Sequence, residues 1–232
     1  MSLRLEDVHA SLQGAPVLRA VNLALERGQV LALLGRNGAG KTTTLRTIMG
    51  LTHQTGGHVR LDDRELDRAP TWQRARSGIY YVPEDGGVFQ ELTVLDNLRL
   101  SARGRPDEVL DAFPELRPLW LRRAALLSGG ERKILALARA ALSGSGWLLI
   151  DEPSLGLAPA VLRRLGQAIR ELHTAAGILL VEQNLRFAQS VADRYVLMQR
   201  GSTVDEGPIE ALRQSPYFSR SMSFGTAEGD SA

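Results

Sequence analysis

One segment of the chain has the residue types and spacing of a phosphate-binding loop. Residues 35–42, GRNGAGKT, fit the pattern G-x-x-x-x-G-K-[ST]. Glycines at these spacings let backbone N–H groups turn inward around phosphate oxygens, and a following helix adds positive charge from its N-terminus. Lys41 can reach the β- and γ-phosphates, and the Thr42 hydroxyl can bind Mg²⁺. The predicted nucleotide site comprises Gly35, Asn37, Gly38, Ala39, Gly40, Lys41, Thr42 and Thr43.

A second segment, LLIDEP at residues 148–153, places two carboxylates directly after an apolar run. If the run is a strand, both acids lie at the carboxyl edge of a sheet, where α/β proteins bind their ligands. We expect Asp151 to hold Mg²⁺, directly or through water. We expect Glu152 to polarise the water that attacks the γ-phosphate. The two segments together predict a nucleotide-hydrolysing site with Lys41 and Glu152 as catalytic residues.

A third segment, LSGGE at residues 127–131, lies between the first two and precedes the helical stretch RKILALARAAL. Taken alone it predicts an N-capped helix, with Ser128 as the cap and Glu131 three residues later. The two glycines at the helix start also form a second anion-binding nest. Ser128, Gly129 and Gly130 are therefore candidate phosphate ligands. These residues alone do not indicate which molecule supplies the phosphate that this second nest would bind.

The elements that must position these segments are predicted from hydrophobic periodicity. Apolar or alternating runs predict strands at 3–8, 17–25, 30–34, 79–82, 147–150, 178–181 and 195–198. Helices are predicted over about 43–49, for a short piece starting near residue 70, after residue 128, and from 159 to about 177. This alternation predicts an α/β sheet covered by helices. Residues 83–125 are irregular and helical in pattern, which indicates an inserted subdomain.

Composition narrows the possible functions. The 232 residues are 44% hydrophobic and 23% charged, which is typical of a folded soluble domain. The chain has no cysteine, so disulfides, thiolate catalysis and cysteine-based metal sites are excluded. The net charge is only +2 and no block of basic residues resembles a nucleic-acid-binding arm, so no nucleic-acid partner is expected. Lysine occurs only at positions 41 and 133, which suggests that Lys41 is required as a compact ammonium.

The order of the three segments resembles the ATP-binding subunit of ABC transporters. The resemblance covers residues 1 to about 220, and YVPE at 81–84, EPSLGLAP at 152–159 and VEQN at 181–184 resemble the second ATPase of branched-chain amino-acid importers. It implies an α/β P-loop NTPase of ABC type, with a mostly parallel sheet core, an antiparallel β subdomain and an inserted helical subdomain. The implied domain spans 1–224, with the insertion at approximately 83–143 and a flexible tail at 225–232.

The resemblance also implies the roles of several residues. LSGGE of one subunit would close on ATP held by the phosphate loop of another, in a homodimer or in a heterodimer with a related ATPase. Gln183 stands where the family usually has a catalytic histidine, and it can donate a neutral hydrogen bond to the γ-phosphate. Glu84 replaces the usual glutamine and is a candidate metal ligand. Leu12 stands near the position where an aromatic side chain usually stacks on adenine, which leaves only an apolar contact.

The implied function is ATP hydrolysis that powers import of amino acids, with ATP and Mg²⁺ as cofactors. Expected partners are membrane permease subunits and, indirectly, an external solute-binding protein. The N-terminus has no apolar signal core, so we expect a cytoplasmic protein. The resemblance implies that it is peripheral to the inner face of the membrane. Three alternatives stay open: a urea or other solute importer, a soluble ABC ATPase of DNA repair or translation, and an unrelated P-loop kinase.

Overall fold

Two β-sheets organise residues 1–218, the part of the chain that the computed structural model describes. The strands are β1 (Ser2–Leu12), β2 (Ala15–Glu26), β3 (Val30–Leu34), β4 (His53–Leu61), β5 (Arg64–Glu65), β6 (Ile79–Val82), β7 (Trp147–Asp151), β8 (Gly177–Glu182), β9 (Arg194–Gln199) and β10 (Ser202–Pro208). The first sheet is antiparallel, in the order β2-β1-β4-β5. The second has the order β10-β9-β3-β8-β7-β6 and is parallel except for β10.

The parallel sheet aligns the predicted chemical segments along one edge. Strands β3, β7 and β8 are buried along their whole length, as continuous apolar runs predict for a sheet covered on both faces. Leu34 of β3 pairs with Glu182 of β8, and Asp151 of β7 pairs with Val181. The phosphate loop, the acids after β7 and the segment after β8 therefore emerge next to one another.

Helices cover the two faces of this sheet. They are α1 (Lys41–Ile48), α2 (Thr71–Arg76), α3 (Val94–Arg99), α4 (Gly129–Leu142), α5 (Pro159–Leu172) and α6 (Leu185–Val191). One core cluster joins alternate residues of β3, such as Ala32 and Leu34, to α4, α5 and α6. The other joins Leu31 and Leu33 to α1 and the antiparallel sheet. The two periodicities of strand and helix thus produce a layered α/β core.

The structure differs from the sequence-based expectations at several boundaries. Helix α1 begins at Lys41, two residues earlier than predicted, because Gly40 already provides its N-cap. Strands β4, β5 and β10 were not predicted. Between α3 and α4 the chain forms short 3₁₀ turns at Pro106–Leu110, Pro114–Leu119 and Ala124–Leu126. The predicted domain and insertion bounds stay predictions, and the tail at 225–232 lies outside the described residues. Within residues 1–218, no helix has the length and apolarity needed to cross a bilayer.

Candidate active site

The phosphate loop connects β3 to α1 through backbone that only glycine adopts easily. Gly40 has φ 107° at the N-cap of α1, and an added Cβ would lie 2.9 Å from Leu18. A Cβ on Gly35 would lie 2.5 Å from the carbonyl oxygen of Met198. Gly35 and Ala39 are buried at the base of the loop, whereas Asn37 and Gly38 are exposed on it. The loop geometry therefore depends on the glycine positions that the motif specifies.

Lys41 is buried to 4% exposure, with its ammonium held inside this loop. Its Nζ donates to the carbonyl oxygens of Gly35 at 3.0 Å and Arg36 at 3.3 Å. It also lies 3.4 Å from Oε1 of Glu152. The ammonium therefore lies between the backbone carbonyls of the loop and the carboxylate of Glu152. Phosphate oxygens that enter the loop would meet its positive charge there.

Asp151 lies beside the phosphate loop and is almost fully buried. Thr42 Oγ1 donates to its Oδ1 at 3.0 Å, and the Tyr81 hydroxyl donates to its Oδ2 at 3.0 Å. Burial raises the pKa of Asp151, although the two hydrogen bonds act in the opposite direction. Burial and the Asp151 charge also raise the pKa of Tyr81, so the phenol stays a donor. The Thr42 hydroxyl and the Asp151 carboxylate are hard oxygen donors, which suit Mg²⁺.

Glu152 follows Asp151 in an unusual backbone conformation. Its φ is +41°, in the left-handed region that residues other than glycine rarely adopt. Its Oε1 accepts a hydrogen bond from Nε2 of Gln183 at 2.8 Å, and the same amide group also donates to Oδ1 of Asn37. Lys41, Asn37, Glu152 and Gln183 therefore form one connected polar network, although they come from three separate segments of the chain.

These residues surround a cleft of about 440 Å³ at the carboxyl edge of the parallel sheet. The cleft is lined by the phosphate loop together with Val17, Glu84, Glu152, Leu155 and Gln183. Thr43, the last residue of the predicted nucleotide site, is part of the lining. Glu84 lines the cleft, and its negative charge acts on Asp151. In the described part of the chain, Glu84 and Asp151 form no hydrogen bond with each other. Its predicted metal contact stays a prediction.

Leu12 lies outside the lining of this cleft. It occupies the end of β1, opposite Ala15, with 41% of its surface exposed. Val17, on the adjacent strand β2, lines the cleft instead. Val17 could not be predicted as a site residue from the sequence, because it carries no polar signal. The bond from Tyr81 to Asp151 was not predicted either, although Tyr81 begins the YVPE segment. The predicted contact between Leu12 and adenine stays a prediction.

Ser128, Gly129 and Gly130 lie at the start of α4, and none of them lines the cleft. The backbone N–H of Ser128 donates to Oε2 of Glu131 at 2.6 Å, and the N–H of Glu131 donates to Oγ of Ser128 at 3.3 Å. This is the capping box that the sequence predicts. The structure therefore brings together the phosphate loop, Asp151, Glu152, Glu84 and Gln183, and it keeps the second nest of the same chain at a separate place.

Comparison with known proteins identifies the family. The family model described as "ABC transporter" matches residues 18–155. The high-affinity branched-chain amino acid transport ATP-binding protein BraG of Pseudomonas aeruginosa is 36% identical over 86% of this chain and 89% of its own length. The probable branched-chain amino acid transport ATP-binding protein LivF of Archaeoglobus fulgidus is 34% identical over 94% and 97%. The lipopolysaccharide export system ATP-binding protein LptB of Escherichia coli is 30% identical over 94% and 95%.

Solved structures share the same architecture. An ATP-binding subunit of an ABC transporter superposes with a TM-score of 0.81 at 28% identity, covering 92% of both chains. An ATP-binding cassette in its ADP conformation superposes with a TM-score of 0.84 over 95% of this chain and 98% of that one, at 22% identity. The predicted α/β P-loop fold of ABC type is confirmed. With a family model over more than half of its length and relatives above 30% identity over most of it, the chain belongs to the ATP-binding subunits of the ABC transporter family.

Proposed function

We propose that this chain hydrolyses ATP to power the import of amino acids, branched-chain ones in particular, across a membrane. The names of BraG and LivF state branched-chain amino acid transport, and the identities to them are 36% and 34%. The YVPE and VEQN segments, singled out by sequence alone, support the same subgroup. LptB, with 30% identity, represents an export alternative within the same family.

The observation that carries the proposed ATPase activity is the contact of Glu152 with both Lys41 and Gln183 at the mouth of the phosphate loop. Lys41 neutralises phosphate charge, and Glu152 accepts a proton from the attacking water. Gln183 donates to Glu152 and orients its carboxylate toward the cleft. Thr42 and Asp151 would hold Mg²⁺, which when bound supplies charge stabilisation to the β- and γ-phosphate oxygens.

The proposed assembly is the one that the family resemblance implies, and the separation of the two nests within one chain supports it. The cleft contains Lys41 and Glu152, whereas Ser128 and Gly130 lie elsewhere on the surface, so each half-site lacks a second anion-binding element. Two ATPase subunits arranged head to tail complete both sites. We propose that the pair is a homodimer or a heterodimer with a related ATPase. It would sit on the cytoplasmic face of a permease that receives its solute from an external binding protein.

The test of the proposed activity compares wild type with Glu152→Gln. We expect the variant to bind ATP with wild-type affinity and to hydrolyse it about 100-fold more slowly, because an amide cannot act as a base. Glu210→Gln, at an exposed position, is the matched control and should hydrolyse ATP at the wild-type rate. Unchanged turnover in Glu152→Gln would place the base elsewhere, with Glu84 and Glu182 as the next residues to test.

Identifying the transported solute requires an assay with the complete transporter. The chain purified together with its membrane partners and reconstituted into vesicles should drive ATP-dependent uptake of labelled leucine in the presence of the binding protein. Urea is the comparison solute. Uptake of urea without leucine would contradict the amino-acid assignment while leaving the ATPase assignment intact.

A further inference from the structure

Both lysines of the chain contact the same residue. Among 28 basic side chains only Lys41 and Lys133 are lysine, and they lie 92 positions apart in the sequence. Lys41 Nζ lies 3.4 Å from the carboxylate of Glu152. Lys133 Nζ donates to the backbone carbonyl of Glu152 at 2.8 Å. The phosphate loop accounts for Lys41, whereas the proposed function gives no role to Lys133.

The carbonyl that Lys133 contacts belongs to a strained residue. Glu152 has φ +41°, and such a conformation persists only where surrounding contacts impose it. On one side, the N–H of Glu152 donates to the carbonyl of Val181 in β8 at 3.0 Å. On the other side, Lys133 holds the carbonyl. These two bonds fix the peptide groups that flank the Cα of Glu152, and hence the direction in which its side chain leaves the backbone.

Lys133 also lies in a strongly acidic environment. It is half-buried in the first turns of α4, and the negative charges of Glu182, Glu84, Glu152 and Asp151 act on it. Burial lowers the pKa of Lys133, while these four charges favour its protonated form. An ammonium at this point reduces the repulsion among the acids.

Glu182, one of these acids, connects two loops of the site. It is 1% exposed, and its Oε1 accepts from the backbone N–H of Ser154 at 3.0 Å. Its Oε2 accepts from Ser154 Oγ at 2.8 Å and from the N–H of Gln183 at 3.1 Å. The loop after Glu152 and the loop that carries Gln183 are therefore joined to one buried carboxylate.

We propose that Lys133 is a positioning residue for ATP hydrolysis, acting through the backbone of Glu152. Lys133 lies three residues after Gly130 on α4, so it ties the helix of the LSGGE segment to the proposed base of its own chain. A shift of this helix on contact with a second subunit would then be transmitted to Glu152. The inference rests on the proposed function, since Glu152 must be the base for its position to affect turnover.

The test replaces the ammonium and keeps the aliphatic stem. We expect Lys133→Met to lower kcat about tenfold, the value of one charge-assisted hydrogen bond, with the Kd for ATP unchanged. Lys133→Arg keeps a charged donor and should recover most of the rate. Arg163→Met removes a cation from an exposed position of α5, for which the described residues show no partner, and should behave as wild type. Thermal unfolding of all variants identifies any general loss of stability.

A double variant shows whether Lys133 acts through Glu152. In a Glu152→Gln background, the base is already absent, so Lys133→Met should cause no further decrease in kcat. An equal tenfold decrease in both backgrounds would overturn the inference, as would a wild-type kcat for Lys133→Met. Loss of ATP binding together with a lower Tm, without recovery in Lys133→Arg, would also overturn it, because that pattern indicates a structural role. Failure of the proposed function is distinguishable, since either wild type and Arg163→Met would hydrolyse no ATP, or Glu152→Gln alone would hydrolyse it at the wild-type rate.

Discussion

At the scale of single residues, the site depends on charges that are held by backbone and side-chain groups of the protein rather than by solvent. Lys41 is bonded to two carbonyls of its own loop, and Asp151 accepts from a threonine and a tyrosine. Each charged group is therefore oriented before any ligand arrives. Preorganised charge of this kind stabilises developing charge without reorganisation during the reaction.

The prediction at this scale concerns Lys41. We expect Lys41→Ala to weaken ATP binding at least about tenfold, because a charge-assisted contact with the phosphates is lost. Lys41→Arg should also bind weakly, since a planar guanidinium does not fit between the carbonyls of Gly35 and Arg36. Calorimetric titration with ATP measures both, and Arg163→Met is the control for removal of a cation. Affinity within a few-fold of wild type in Lys41→Ala would contradict the nucleotide-site assignment.

At the scale of elements, the strands differ in how well they can be predicted from the sequence. The buried strands β3, β7 and β8 could be predicted because they are continuous apolar runs. Strand β4, HQTGGHVRL, shows neither an apolar run nor a regular alternation, and only Val59 and Leu61 are buried. It is a strand because the edge of β1 pairs with it, with Leu5 opposite Val59. That pairing depends on tertiary contacts, which local propensity does not contain.

The site shows the same division between local and long-range information. The phosphate loop, Asp151 and Glu152 could be predicted because each is a short motif next to a recognisable strand. The bond from Lys133 to the Glu152 carbonyl could not be predicted. The two residues are 19 positions apart, and they meet only because α4 packs near the end of β7. Likewise, the position of Val17 in the cleft depends on how the antiparallel sheet packs against the phosphate loop. Motifs thus identify the chemistry, and packing selects the residues that support it.

The prediction at this scale concerns the N-terminal cap of α4. The Ser128 N–H that donates to Glu131 holds the pKa of this carboxyl below its usual value. A depressed carboxyl pKa stabilises the fold above the unfolded pKa of about 4.3, and the contribution is lost as pH falls through the folded value. We expect Glu131→Ala to reduce the free energy of unfolding by about 1 kcal/mol or less at pH 7. The difference from wild type should shrink below about pH 4.

Urea unfolding at pH 7, 5 and 3.5 measures this difference. Glu131→Gln is the matched comparison, because its amide oxygen accepts the same hydrogen bond but does not titrate. The difference between the glutamine and alanine variants should therefore be independent of pH. A difference between wild type and Glu131→Ala that is equally constant would show that the charge of Glu131 does not contribute.

At the scale of the whole molecule, the fold separates two anion-binding elements that, in the proposed dimer, one ATP molecule contacts together. The phosphate loop opens on the carboxyl edge of the sheet, while the cap of α4 lies against α5, where Gly130 approaches Val161. An ideal Cβ on Gly130 would lie 3.0 Å from a methyl group of Val161. A side chain at Gly130 would therefore clash with Val161 of the same chain, whatever its effect on a second subunit. A test of the dimer must first shorten the Val161 side chain.

The last prediction therefore uses Gly130→Asp combined with Val161→Ala, and Val161→Ala alone as the control. The double variant should bind ATP as a monomer with wild-type affinity, because its phosphate loop is intact. Its turnover should fall about 100-fold, since the added carboxylate would repel the triphosphate bound by the partner and keep the backbone N–H groups of α4 away from it. In a Glu152→Gln background, ATP should dimerise the Val161→Ala chain and not the double variant, as measured by sedimentation.

Mixing the two kinds of defective chain tests the geometry of the dimer. A Lys41→Ala subunit paired with the Gly130→Asp/Val161→Ala subunit forms two different composite sites. One site combines both defects. The other combines the intact phosphate loop of the Gly130→Asp/Val161→Ala subunit with the intact LSGGE segment of the Lys41→Ala subunit. Each mixed dimer should therefore regain activity at one of its two sites. If the double variant alone hydrolyses ATP at the wild-type rate, Ser128, Gly129 and Gly130 are only a helix cap, and the two nests belong to no shared site.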